Sequence, residues 1–129
     1  MNAYKLSLIA HDLARTTGGF TLNSITGSAP TSGYVVGGVV PEKRVPWSRL
    51  ASYGIEDYIC AHRRELLDGY GYLGGWIIHG ETEEDQLVLD VCSLHSSKEE
   101  ALDIARKHSQ EAIYCLDTKE TIFLEGVKP

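Results

Sequence analysis

The segment YLGGWIIHGETEEDQLVLDVCSLH, residues 72–95, decides the fold class. It holds two apolar runs rich in β-branched and aromatic residues, separated by the polar stretch ETEEDQ at residues 81–86. Two strand-like runs around a short polar connection predict an antiparallel hairpin. Period-two alternation in the second run sets Leu87, Leu89 and Val91 on one face, with Val88, Asp90 and Cys92 on the other. Asp90 is out of place there, because an unpartnered carboxylate is costly to bury in an apolar strand. It must lie on an exposed sheet face or be hydrogen-bonded to something definite.

On the C-terminal side, SSKEEALDIARKHSQ predicts a helix. Ser97 with Glu100 three residues on is a capping box, which satisfies backbone donors that a helix start leaves orphaned. Ala101, Leu102, Ile104 and Ala105 supply its buried face, and Lys107 and His108 sit near its negative end. EAIYCL and TIFLE, joined by DTKE, predict a closing hairpin.

On the N-terminal side, IEDYICAHRRELLDG places Ile55, Ile59, His62 and Leu66 on one helical stripe, with Ser48 capping a first turn and Gly69 as the stop. Pro41 and Pro46 bracket an irregular passage. At the start of the chain, Leu6, Ile9, Ala10, Leu13 and Ala14 recur at helical spacing, and Gly18-Gly19 ends the run.

Between these helices lies TTGGFTLNSITGSAPTSGYVVGGVV, residues 16–40, which is rich in glycine and hydroxyl residues. A phosphate-cradling loop needs its glycines between a strand and a helix N-terminus. This segment contains neither of the Gly-rich phosphate motifs and joins one strand-like run to another. It therefore reads as a β-hairpin with a long hydroxyl-rich connector and a bulge at Gly37-Gly38. The expected fold is α+β: a mostly antiparallel sheet of about six strands with about three helices on one face, forming one domain over residues 1–129.

Composition narrows the function classes. The chain has 129 residues, a net charge of −6, and 43% hydrophobic and 23% charged content. That apolar share excludes a disordered chain. The acidity, with a sequence pI near 5.3, disfavours nucleic acid as a partner. Three cysteines without a Cys-x-x-Cys pair argue against a disulfide framework. The N-terminal residues carry no signal-peptide pattern, and no apolar run approaches membrane-spanning length, so a cytoplasmic location is expected.

Catalytic and metal signatures are thin. Cys92 and His95 alone have zinc-ligand spacing, with His79 a conceivable third ligand, but isolated His and Cys on strands are usually core or edge residues. A hydrolase would use Cys92 with His79, with Asp90 as an optional third group. No catalytic residue, metal site or cofactor is assigned. The candidate binding residues are Thr31, Ser32 and Tyr34 beside the connector, Tyr70 and Tyr72 next to glycines, Asp90, and Gln110. Exposed tyrosines of this kind suit a contact surface.

Three segments carry a resemblance: GGFTLNSITGSAPTSGYVVGG, then YLGGWIIHGETEEDQLVLDV, then the helix leading into Gln110 and AIYC. Together they resemble small proteins of unknown function from actinobacterial phages and integrative mobile elements, over roughly residues 18–124. In that group an acid is common where Cys115 stands, a serine follows the LDV that here precedes Cys92, and other residues replace His108-Ser109. The resemblance implies a genetic setting and no established activity. The leading expectation is a non-enzymatic accessory protein that binds a host or phage protein, as in anti-restriction or anti-CRISPR interference. The alternative is a small-molecule or nucleotide binder using the loop at 26–34 with Gln110, and a Cys/His hydrolase ranks third. An uncovered apolar sheet face would also allow a homodimer.

Overall fold

The computed structural model describes residues 1–68 and 71–126. Helix α1 (Ala3–Thr17) opens the chain and is followed by strands β1 (Gly19–Asn23), β2 (Tyr34–Val36) and β3 (Lys43–Pro46). Helix α2 (Ala51–Ala61) and a π-helical turn (Arg64–Asp68) lead to β4 (Tyr72–Ile78) and β5 (Gln86–His95). Helix α3 (Lys98–Lys107), β6 (Ala112–Cys115) and β7 (Glu120–Phe123) complete the fold. The architecture is α+β, with seven strands in one antiparallel sheet ordered β1-β4-β5-β2-β6-β7, and β3 pairs with β5 beside that path.

The β4–β5 hairpin is the axis of the sheet. Its register runs from Tyr72 opposite Cys92 to Ile78 opposite Gln86. The acidic connection closes on Asp85, which holds His79 Nδ1 at 2.9 Å and accepts the Gly80 N–H at 3.2 Å. The hydrogen bond from His79 is the main reason the Asp85 carboxyl titrates below its usual range. Because β5 is the longest strand, its free edge serves two partners. Leu87 to Leu89 pair with β3, and Ser93 to His95 pair with β2.

Alternation along β5 builds two cores on one face. Leu87, Leu89 and Val91 join Leu22, Leu73, Ile55 and Leu6 in a large core under α1 and α2. The same face continues through Ser93 and His95, which lie opposite Val36 and Tyr34. There α3 contributes Ala101 and Ala105 to a smaller core with Val36, Ile113 and Leu124. Asn2 caps α1 by accepting the Lys5 N–H at 2.8 Å, and Gly18, at φ 86°, ends it. Ser97 caps α3 through the Glu100 N–H at 3.3 Å.

Two expectations are corrected. The segment at residues 16–40 is not a hairpin: β1 pairs with β4, whereas β2 pairs with β5 and β6. Strand propensity marks which residues extend but not which edge they meet, and two strands stand between β1 and β2. The turn signals belong to a local turn in which Asn23 Oδ1 accepts the N–H groups of Ile25 and Thr26. The passage between Pro41 and Pro46 contains β3, with Val45 buried. Its prolines fit because Pro46 ends an edge strand, where no ladder donor is needed. Gly69, the expected stop of the second helix, lies outside the described residues. Among the described residues α2 ends at Ala61, and the π-helical turn carries Leu66 back into the core.

Candidate functional site

The site is built where the chain leaves the sheet between β2 and β3. After Val36, residues 37–42 arch alongside β5 without forming a regular ladder, and the Val39 N–H reaches Val91 O at 3.3 Å. The arch passes against Asp90. The Gly38 N–H donates to Asp90 Oδ1 at 3.3 Å. A Cβ on Gly37 would fall on Asp90 Oδ2, and one on Gly38 would meet the Gln110 amide. Gly38 is also left-handed, at φ 81°. Only glycines allow the backbone to lie this close to both side chains.

Asp90 is 7% exposed and points to the face that the helices leave open. Burial is the main reason its carboxyl titrates above the ordinary range, and the charge of Glu42 adds to it. Backbone N–H groups of Gly38 and Val91 pull in the opposite direction. Behind it, burial and the Asp90 charge push the Cys92 thiol up and keep it protonated. Tyr58 secures the arch from α2, its hydroxyl donating to Pro41 O at 3.2 Å, and burial likewise keeps that phenol protonated.

The arch is one wall of an open cleft of about 650 Å³. Residues 38–42 form that wall, Ser109 to Ala112 form the other, and the sheet supplies Trp76 and Asp90. Gln110 is held by two contacts: its N–H bonds to Ala105 O at 2.8 Å, and its Nε2 donates to His108 O at 3.2 Å. Ser109, at φ 56°, makes the turn that swings Gln110 off the end of α3. The lining charges are Asp90, Glu42 and Glu111, with no lysine or arginine among the lining residues.

Of the residues singled out in the sequence, Asp90 and Gln110 meet in this cleft. Thr31 and Ser32 are exposed in the connector and do not line it. The loop at 26–34 therefore does not share a pocket wall with Gln110. Tyr34 packs under α3, on the opposite face of the sheet. Tyr72 is half-buried on the cleft face but outside the lining, and Tyr70 lies outside the described residues. Trp76 is the aromatic lining residue, and the binding set omitted it. Its alternation with Gly75, which faces Phe20 in the large core, would have placed it opposite that core.

The hydrolase set does not assemble. Cys92 pairs with Tyr72, while His79 follows Ile78 at the far end of the hairpin. At about 3.3 Å per residue, roughly 20 Å separates them. No group of three metal-binding side chains occurs among the described residues, and no described helix is long and apolar enough to cross a membrane. A second polar array was not anticipated: Ser93 Oγ lies 2.8 Å from His95 Nε2, with Glu100 Oε1 3.6 Å from Nδ1. It ties β5 to the first turns of α3. Ser93 Oγ also donates to Val36 O at 3.5 Å, and neither this array nor His95 borders the cleft.

No family model matches the chain, and neither a curated protein nor a solved structure shows detectable similarity to it.

Proposed function

We propose that the protein is a non-enzymatic binding protein that docks another protein on the sheet face its helices leave open. The observation that carries this reading is the composition of that face. Trp76, Tyr114 and Phe123, at 42%, 38% and 40% exposure, all alternate away from the helical cores and stand on it beside the Asp90 cleft. Aromatic side chains around a recessed polar group are the residue types enriched at protein-interface hot spots. The cleft is also too open to enclose most of a small ligand, as small-molecule sites do. The sequence resemblance to phage and mobile-element proteins supplies the setting, with a host or phage protein as partner.

The test is affinity capture with the tagged wild type, a Tyr114→Ala/Phe123→Ala variant and a Tyr4→Ala control. Tyr4 is exposed on α1, away from the open face. The expected result is one stoichiometric partner, retained by the wild type and the control and lost by the double variant. Retention by all three, or by none, sinks the reading. A second copy of the chain is the competing occupant of this face, and light scattering that shows a dimer broken by the double variant would favour it.

A further inference from the structure

We infer that the Asp90 cleft receives a guanidinium group, the arginine side chain of the partner protein. This rests on the protein-binding reading above and names the chemistry of its central contact.

Four observations converge. First, Asp90 is 7% exposed, yet its contacts are backbone N–H groups, and no ion pair reaches it among the described residues. A buried carboxylate without a cation is an uncompensated cost in the free protein, and an incoming cation with its own donors would relieve it. Second, the other lining charges, Glu42 and Glu111, have the same sign, so the cleft repels anions and attracts cations. Glu42 has one weak exposed neighbour, Arg44 at 3.8 Å. Third, Trp76 presents a large exposed aromatic surface to the same cleft, and tryptophan is the best aromatic partner for a cation. Fourth, Gln110 uses Nε2 on His108 O, which leaves its Oε1 as an acceptor beside Gly37.

These features select guanidinium over ammonium. An arginine head is planar and carries five donors in a fixed fork, so it can bond a carboxylate and an amide oxygen while stacking on an indole. A lysine head is a compact, strongly hydrated point charge that offers no plane to stack. The glycine arch completes the arrangement, since any side chain at position 37 or 38 would occupy the space beside Asp90 and Gln110.

The experiment is an NMR titration of the wild-type protein with four probes: Nα-acetyl-arginine amide, its lysine analogue, its neutral citrulline analogue and the polyamine spermidine. The expected result is a saturable shift of the Trp76 indole N–H and the Gly38 amide with the arginine probe, at a Kd of roughly a millimolar. Trp47, stacked on His11 at 4.8 Å away from the cleft, serves as the unmoved reference. Citrulline should move neither signal, and Asp90→Asn should weaken arginine binding at least tenfold. Glu42→Gln, at an exposed position, should weaken it by a smaller factor and guards against a misfolded Asp90 variant.

No shift with arginine, or an equal shift with citrulline, overturns the inference. Tighter binding of lysine overturns the choice of guanidinium, and tighter binding of spermidine reassigns the cleft to a free polyamine. If the probe moves nothing while the Tyr114/Phe123 variant still loses its partner, this inference fails alone. If the probe binds but capture is empty, the protein-binding reading fails, and with it the partner as source of the arginine.

Discussion

Leu87, Leu89 and Val91 of β5 share one face with Ser93 and His95 further along the same strand, but the two stretches are covered differently. Over the first stretch lie two helices packed on each other, and large aliphatic side chains from four strands fill the space beneath. Over the second lies α3 alone, whose fully buried side chains are alanines. Burial of apolar area is the main stabilising contribution, at about 25 cal/mol per Å², so the α1/α2 half carries most of the folding free energy. The α3 half leans on local devices: the Ser97 cap, the His95 contacts to Ser93 and Glu100, and the β6–β7 hairpin. The cleft opens at the seam, where the sheet changes partner from β3 to β2. The cleft thus has its floor on the densely packed half and one wall on the thinner half, and thinly packed regions are where local opening concentrates in native proteins.

The largest effect should come from the well-covered half. Leu89 is fully buried, and Leu89→Ala should cost about 3 kcal/mol in denaturant unfolding, through lost transfer energy and the cavity left behind. A cost below about 1 kcal/mol would show that this core can collapse around the gap and that the two halves differ less in packing.

Next comes the thinner half. Ile113→Ala should cost about 2 kcal/mol, near the low end for such truncations. Its diagnostic is hydrogen exchange: amides of α3, β6 and β7 should lose protection while β4 and β5 keep theirs. Uniform loss of protection would mean that the two cores unfold as one unit.

The smallest effect belongs to the seam. Asp90 has its carboxyl held above the ordinary 3.8 mainly by burial, so the folded state binds its proton more tightly than the unfolded state does. The stabilising contribution of that proton is fully present below the unfolded value and is lost as pH rises through the raised folded value. Asp90→Asn should therefore flatten the decline in stability above the ordinary carboxylate range. At neutral pH it should leave the protein as stable as the wild type or more so, by up to about 1 kcal/mol. A variant that loses stability at neutral pH would show Asp90 to be a structural anchor and not a group held ready for a ligand.

Much of this architecture was legible in the residues. The β4–β5 hairpin, the Ser97-capped helix and the closing hairpin are local, and each carries its own periodicity and turn chemistry. The inward set of Leu87, Leu89 and Val91 followed from alternation alone. The reading failed where pairing is non-local: β1 and β2 are close in sequence yet separated by two strands, and β3 looked irregular because its prolines mask an edge strand. For the site, Asp90 was conspicuous as an acid in an apolar strand and Gln110 was flagged, but nothing local linked them. Trp76 lines the cleft because its neighbours Gly75 and Ile77 face the large core, an alternation that the residues themselves carry.

What the sequence by itself determined is therefore the kind of most elements, β3 excepted, and which side chains of a strand share a face. These are short-range properties, set by backbone sterics, turn residues and the spacing of apolar groups. Only the tertiary structure decided which edges pair, and hence that the Gly37-Gly38 arch comes to lie against Asp90 with Gln110 beside it. Strand edges are chemically alike, with the same backbone donors and acceptors, so the choice among them falls to the packing of the whole sheet beneath its helices.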